Sequence, residues 1–407
     1  MTTQQWSARE TVQRVAGGAA SVRQVAVETA ARITRVDGAL RSFVHVDEQE
    51  LEAEISRVES LAPPAGTSPL RGLPVAIKDL IDTRGQLTTY GSPIYAGHQP
   101  DADAEVVHRL RAAGAIVVGK TVTTEFALFQ PPPTRNPHDP ARTPGGSSSG
   151  SAAAVAAGLV PVALGTQTAG SVIRPASYCG VVGFKPTYGL ISTSGVKPLS
   201  PSFDTVGLFA RDVSDVALVF AAIRADSVGT AGTVPGAGGP GGPATHGGVP
   251  VVGICRTPRW GDVDAEARAA FDALVETLSA MPQVRILEEV DLPDLAEIAE
   301  AHAVVMEREA LVALHDEHTH HPDSLSASLR EYLDRASSRT DAEVAAAEAL
   351  IDRRRRELGD RPGGADFLLT PATSGVAPPA DSTGDPWFCR PWTALHVPAI
   401  SLPLLRG

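Results

Sequence analysis

Residues 143–159 read TPGGSSSGSAAAVAAGL. Within them Gly145–Ser151 (GGSSSGS) carries glycines and hydroxyls and no apolar side chain. That is the composition of a flexible linker. Yet it runs directly into AAAVAA, a strong helix former. The stretch is therefore either a tether or a loop built tightly against a helix start, and its surroundings decide between them.

Working outward, Leu73–Lys78 (LPVAIK) and Ala115–Gly119 (AIVVG) read as buried strands, and Glu105–Ala113 between them reads as a helix. Strands alternating with helices argue for an α/β sheet. Asp212–Arg224 is a further helix. Residues 1–65 form an N-terminal helical segment: Val22, Val25, Thr29, Ile33 and Val36 recur at helical spacing, and Ser21 with Gln24 fits a capping box. Pro63, Pro64 and Gly66 mark a break. Residues 66–225 then form a core that carries the Ser- and Gly-rich segments, and 226–249, rich in Gly, Pro and Ala, a mobile connector. The remainder, 250–407, belongs to the same α/β domain. It begins with strand-like Val251–Ile254, continues through long helices and returns to strands near Phe367–Thr370 and Pro398–Leu402.

Bulk properties narrow the function. The 407 residues carry a formal net charge of -12, so no general affinity for a phosphate backbone, and no nucleic acid partner, is expected. Arg353–Arg356 reads as a solvated helix face. Cys179, Cys255 and Cys389 are far apart and odd in number, which suggests neither a disulfide framework nor a metal site. The start, MTTQQWSARE, lacks the apolar core of a signal peptide, and no run approaches the roughly 18 apolar residues of a membrane span. A cytoplasmic protein with no membrane partner is expected.

Several short motifs compete for attention. Gly114–Thr121 (GAIVVGKT) matches the phosphate-binding loop formally, but its middle residues are themselves the strand. Gly146–Gly150 (GSSSG) matches a nucleophile elbow centred on Ser148, but DPARTP before it cannot be the required strand. Ser194–Lys197 (SGVK) is too loose a pattern to carry weight. His315, His318, His320 and His321 crowd one stretch without HExxH and read as a wet helix end.

Three polar points remain: Lys78, closing an apolar strand; Ser147, after the glycine pair; and Ser171, in GTQTAGSVIRPASYCG (165–180). Small residues before Ser171 leave backbone N–H groups open to a ligand, as an oxyanion hole needs. Histidine is the usual base for a serine nucleophile, but neither serine segment has one in a matching pattern. Lysine can serve if it is kept neutral.

In these segments the chain resembles the amidase signature family. The likeness is carried by RGLPVAIKD (71–79), DAEVVHRLRAAGAIVVGKT (103–121) with EFA, and NPHDPARTPGGSSSGSAAAVAAG (136–158). It continues through LGTQTAGSVIRPASYCGVVGFKPTYG (164–189), SFDTVGLFARDVSDVA (202–217), LLTPATSG and PWTALHVPAISLP. The resemblance implies a large mixed β-sheet covered by helices on both faces. It also implies a Ser–cis-Ser–Lys triad, with Lys78 as base, Ser147 as the serine at a cis peptide bond and Ser171 as nucleophile. The oxyanion hole would be formed by the backbone N–H groups of Thr168, Ala169, Gly170 and Ser171. The implied activity is hydrolysis of linear amides through an acyl-enzyme, on a small-molecule substrate and with no metal or other cofactor. The amidase subunit of a glutamyl-tRNA amidotransferase shares the signature and is the alternative, as is a non-catalytic member; a homodimer is an open assembly.

Departures from the family pattern stand out. Many members have Asp-x-Gly-Gly-Ser where this chain has Gln167-Thr168-Ala169-Gly170-Ser171, and Arg174 sits one place later than usual. Gly207 is followed by Leu208 where proline is common. Family chains also run past PAISLP into another strand and helix, so an incomplete sheet edge is expected. Specificity is expected from loops such as Leu128–Pro133 (LFQPPP) and from the region after 224, and the substrate itself is not legible.

Overall fold

In the computed structural model of the chain, residues 5–61, 68–225, 248–359 and 362–405 are described. The apolar runs become strands β1 (Phe43–His45), β2 (Pro74–Lys78), β3 (Ile116–Thr121), β4 (Val162–Gln167), β5 (Val182–Lys185) and β6 (Thr205–Ala210). A separate three-stranded parallel sheet holds β7 (Val251–Ile254), β8 (Arg285–Leu287) and β9 (Phe367–Leu369). The last strand, β10 (Ala399–Ser401), returns to the main sheet, whose order is β1-β3-β2-β4-β6-β5-β10. β2 runs parallel to β3 and β4, and the remaining pairs are antiparallel. The sheet is mixed, and helices cover both its faces.

Helices α1 (Ala8–Ala16), α2 (Val22–Leu40) and α3 (Glu48–Ser60) come first. The capping box expected at Ser21 is half formed. Ser21 Oγ accepts from the Gln24 amide, while the Gln24 side chain donates to Glu28 instead. A full box lies at Ser7 and Glu10, one helix earlier. β1 interrupts this helical segment, because Phe43 and His45 pair with β3 at the edge of the sheet. The next four helices are α4 (Glu105–Ala112), α5 (Ser149–Ala156), α6 (Ile173–Cys179) and α7 (Val213–Ile223).

Alternation along the strands sorts these helices into two layers. Val75, Ile77, Val117, Leu164 and Leu208 pack against α1, α4 and α7. Ala76, Ile116, Val118, Ala163 and Phe209 pack against α2, α3, α5 and α6. Lys78 follows the parity of Ala76, so it faces the layer whose helices begin just after Ser147 and Ser171.

The chain continues through α8 (Ala265–Ser279), α9 (Leu295–Ala313), α10 (His315–His320), α11 (Ala327–Ser337), α12 (Asp341–Glu357) and α13 (Arg390–Ala394). α9 is central, packed against α11, α12 and α13, and its Ala301, Val305 and Met306 join a core that reaches Ala169 and Trp392. Because β1 and β10 both enter the main sheet, we propose that 1–65, 66–225 and 250–407 belong to one α/β unit. The connector expected at 226–249 lies outside the described residues through 247, as do Pro63, Pro64 and Gly66.

The competing motifs resolve structurally. Ile116–Thr121 of GAIVVGKT is strand β3, and buried Lys120 donates to Ile81 O and Thr88 Oγ1. Lys197 of SGVK pairs with Glu317 over the rings of Tyr95 and Phe126. Among the described residues no group of His, Cys, Asp and Glu could hold a metal ion. The arginine run is less solvated than expected: Arg354 binds Asp294, and Arg355 donates to Ala394 O.

Gly150 shows why the helix start needs glycine. A Cβ there would lie 2.2 Å from Ser42 O and 2.4 Å from Val122 N. Gly150→Ala should therefore destabilise the fold by about 1–3 kcal/mol, the usual range for overpacking, as a lowered urea midpoint at unchanged slope.

Candidate active site

The Lys78 side chain is fully buried. Its Nζ donates to Ser147 Oγ and to Thr166 Oγ1, each at 2.7 Å, and among the described residues it forms no ion pair. Burial pushes its pKa well below the ordinary lysine value, and the Asp204 charge opposes this only in part. The amine is therefore biased towards its neutral form.

The glycine–serine loop is no tether, for each of its hydroxyls has a partner. Ser148 Oγ donates to Thr166 O at 3.1 Å, Ser149 Oγ to Gly145 O at 2.7 Å and Ser151 Oγ to Leu164 O at 2.8 Å. Gly145 has φ +83°, and a Cβ on it would meet Pro175 Cα at 2.8 Å. The Gly146–Ser147 peptide bond is cis. Arg174 Nη2 donates to Gly146 O at 2.7 Å, while its Nε and Nη1 have no partner among the described residues.

Ser171 follows β4 and precedes α6. With Ser147, Thr168, Ala169 and Arg174 it lines one small cavity. Leu128 and Phe129, from the loop singled out in the sequence, and Met306 of α9 close it. The turn before Ser171 is held from several sides. Gln167 Oε1 accepts from the amides of Val172 and Ile173 at 2.8 and 3.0 Å. Thr168 Oγ1 donates to Asp204, whose carboxylate also accepts the Leu199 and Ser200 amides. Burial raises the Asp204 pKa to about 6, although these hydrogen bonds favour its charged form. His302 of α9 is buried and bonded through Nε2 to Thr168 O at 2.8 Å. Burial lowers its pKa to about 3, so it is neutral.

A family model described as Amidase matches residues 24–404. The chain belongs to the amidase family. It is 41% identical over 295 residues to a glutamyl-tRNA(Gln) amidotransferase subunit of Anaeromyxobacter dehalogenans (strain 2CP-C), covering 70% of this chain but only 59% of that relative. Among solved structures, a crystal structure of an amidase superposes with a TM-score of 0.84 at 30% identity, covering 98% of this chain and 92% of the other. The native peptide amidase from Stenotrophomonas maltophilia gives 0.80 at 27% identity, covering 97% and 89%.

Within the amidase family frame, the residues picked from the sequence converge. Lys78 contacts Ser147, and Ser147, Thr168, Ala169 and Ser171 face one cavity. Sequence reasoning missed Thr166, Asp204, His302 and, on α13, Thr393, whose Oγ1 donates to Ala169 O at 2.7 Å. Asp204 lies in the quoted SFDTVG, so a buried carboxylate in an apolar run was an available signal. His302 carries no local signal: it is one histidine in a long helix, and only packing brings it to the turn.

The burial of Lys78 has a pH signature. The unfolded chain holds the lysine proton below about pH 10.4, whereas the folded chain releases it at lower pH. Between those values the unfolded state binds more protons, so stability rises with pH by up to about 1.4 kcal/mol per unit. The difference in unfolding free energy between wild type and Lys78→Met should therefore shift in favour of wild type from pH 7 to 9, measured by urea titration at each pH.

Proposed function

We propose that the chain hydrolyses the C–N bond of a small-molecule carboxylic amide through an acyl-enzyme on Ser171. The observation that carries this reading is the neutral-biased Lys78 amine, 2.7 Å from the Oγ of Ser147, a serine that lines one cavity with Ser171. Lys78 takes a proton from Ser147 as Ser147 takes one from Ser171. Ser171 Oγ bonds to the amide carbon, and the carbonyl electron pair moves onto oxygen. The backbone N–H groups of Thr168, Ala169, Gly170 and Ser171 receive that charge. Collapse of the adduct breaks the C–N bond as Ser147 returns a proton to the leaving nitrogen. Water then cleaves the ester by the same relay in reverse order. The chemistry requires no metal. The three cysteines are free and buried, which fits the reducing cytoplasm.

A second reading is favoured by the 41% identity to the amidotransferase subunit. There the same centre would release ammonia from glutamine within a complex. Ammonia or amine release from aliphatic, aryl and carbamoyl amides, set beside glutaminase activity with any co-purifying subunit, separates the two. Turnover of glutamine alone, and only with a partner, would replace the first reading.

Ser171→Ala should lower turnover by about 10⁴–10⁶ without unfolding the protein. Ser147→Ala should be comparably severe. Ser148→Ala should be milder, since Ser148 Oγ is spent on Thr166 O. If Ser148→Ala matched Ser171→Ala in initial-rate assays, the relay would be misassigned.

Because Lys78 acts only when neutral, kcat/KM should rise with pH and fall on the acid side. Lys78→Ala should lose most activity and, in its residual rate from about pH 5 to 10, lose that acid limb. An unchanged acid limb would remove lysine as the base.

A further inference from the structure

We propose that Gln167 and Thr393, seconded by His302, are positioning residues that aim the N–H groups of the turn before Ser171. The inference rests on the reading of that turn as an oxyanion hole.

Apart from Gly146–Ser147 the described peptide bonds are trans. In a trans peptide the C=O of one residue and the N–H of the next point in opposite directions. Fixing a carbonyl therefore fixes the direction of the following N–H. Thr168 O accepts from His302 Nε2 at 2.8 Å, which aims the Ala169 N–H away from that histidine. Ala169 O accepts from Thr393 Oγ1 at 2.7 Å, which aims the Gly170 N–H away from α13. Neither N–H finds an acceptor among the described residues, and both are left for a ligand.

Gln167 explains how Thr393 can do this. A threonine hydroxyl has one hydrogen to donate. Gln167 Nε2 lies 2.9 Å from Thr393 Oγ1 and can only donate to it. The amide orientation is set by the other end, where Oε1 accepts from Val172 and Ile173. Thr393 thus receives a hydrogen from Gln167 and turns its own to Ala169 O at 2.7 Å, the nearer of its two carbonyl acceptors, Cys389 O lying at 3.2 Å. A carboxylate at 167 could still accept the two amides, but it would draw the Thr393 hydrogen to itself and release the Ala169 carbonyl. The departure from the family's aspartate is therefore tied to a threonine far away in sequence, and the pair acts as one relay.

The test uses a fluorophosphonate, whose reaction with Ser171 passes the Oγ proton to the Ser147–Lys78 relay, forms an O–P bond, expels fluoride and places a phosphoryl oxygen where the oxyanion would sit. Labelling is followed at pH 8 for the whole chain, giving kinact and KI. Thr393→Val and Gln167→Glu should lower kinact about tenfold to a hundredfold, somewhat less than outright loss of an oxyanion donor, with KI within about twofold. Thr393→Ser and His302→Gln, which keep a donor, should stay within about threefold of wild type in kinact, below that loss. Urea midpoints report folding, and if Thr393→Val does not fold, Gln167→Glu carries the test. Wild-type kinact in Gln167→Glu or in folded Thr393→Val, with Ser171→Ala unlabelled, overturns the relay alone. An unlabelled wild type, or a labelled Ser171→Ala, overturns the reading of the site itself.

Discussion

The site depends on a lysine amine buried without a carboxylate. Taking an ammonium out of water costs more than two hydroxyl acceptors can return, so the surroundings of Lys78 favour the neutral form. Nearly everything around it serves that condition. The central strand β2 is covered on both faces, the partners supplied to Nζ are the hydroxyls of Ser147 and Thr166, and Asp204, whose charge acts on the amine, is occupied by Thr168 and two backbone amides.

Two other buried lysines show that burial alone does not make a site. Lys120, on the neighbouring strand, lies 3.6 Å from Asp79, and burial lowers its pKa to about 8 against that carboxylate. Lys185 donates to Pro186 O, and burial takes it to about 7. Among the described residues neither is hydrogen-bonded to a serine. Lys78 differs because β2 ends at the level where α5 and α6 begin, which places one amine and two serine-bearing loops at one end of the sheet.

The two halves of the chain divide the work. The stretch from β2 to α6 contributes the amine, the serines and the turn. α9 and α13, from the C-terminal part, hold the carbonyls of that turn through His302 and Thr393. Elements of one half thus fix the backbone of a turn that belongs to the other.

Much of this was legible in one dimension. Pro74–Lys78, Ile116–Thr121 and Val213–Ile223 fall where apolar periodicity puts them, because burial on a sheet or helix face imposes that period directly on the sequence. Lys78, Ser147 and Ser171 could be chosen because each is a polar residue set among small or apolar neighbours. Other features were not legible. β1 is three residues long inside helical sequence, and only its pairing with β3 makes it a strand. Arg355 sits in a charged run and becomes half-buried because Ala394 O lies beside it. Gln167 is separated by more than a hundred residues from both Thr393 and His302. The sequence by itself determined strands such as β2 and β3 and a helix such as α7, and marked Lys78, Ser147 and Ser171 as candidates, since those follow from local composition and spacing. The tertiary structure alone decided which carbonyl each distant side chain holds, because a hydrogen bond depends on distance and direction in space, and neither is encoded by a residue's neighbours.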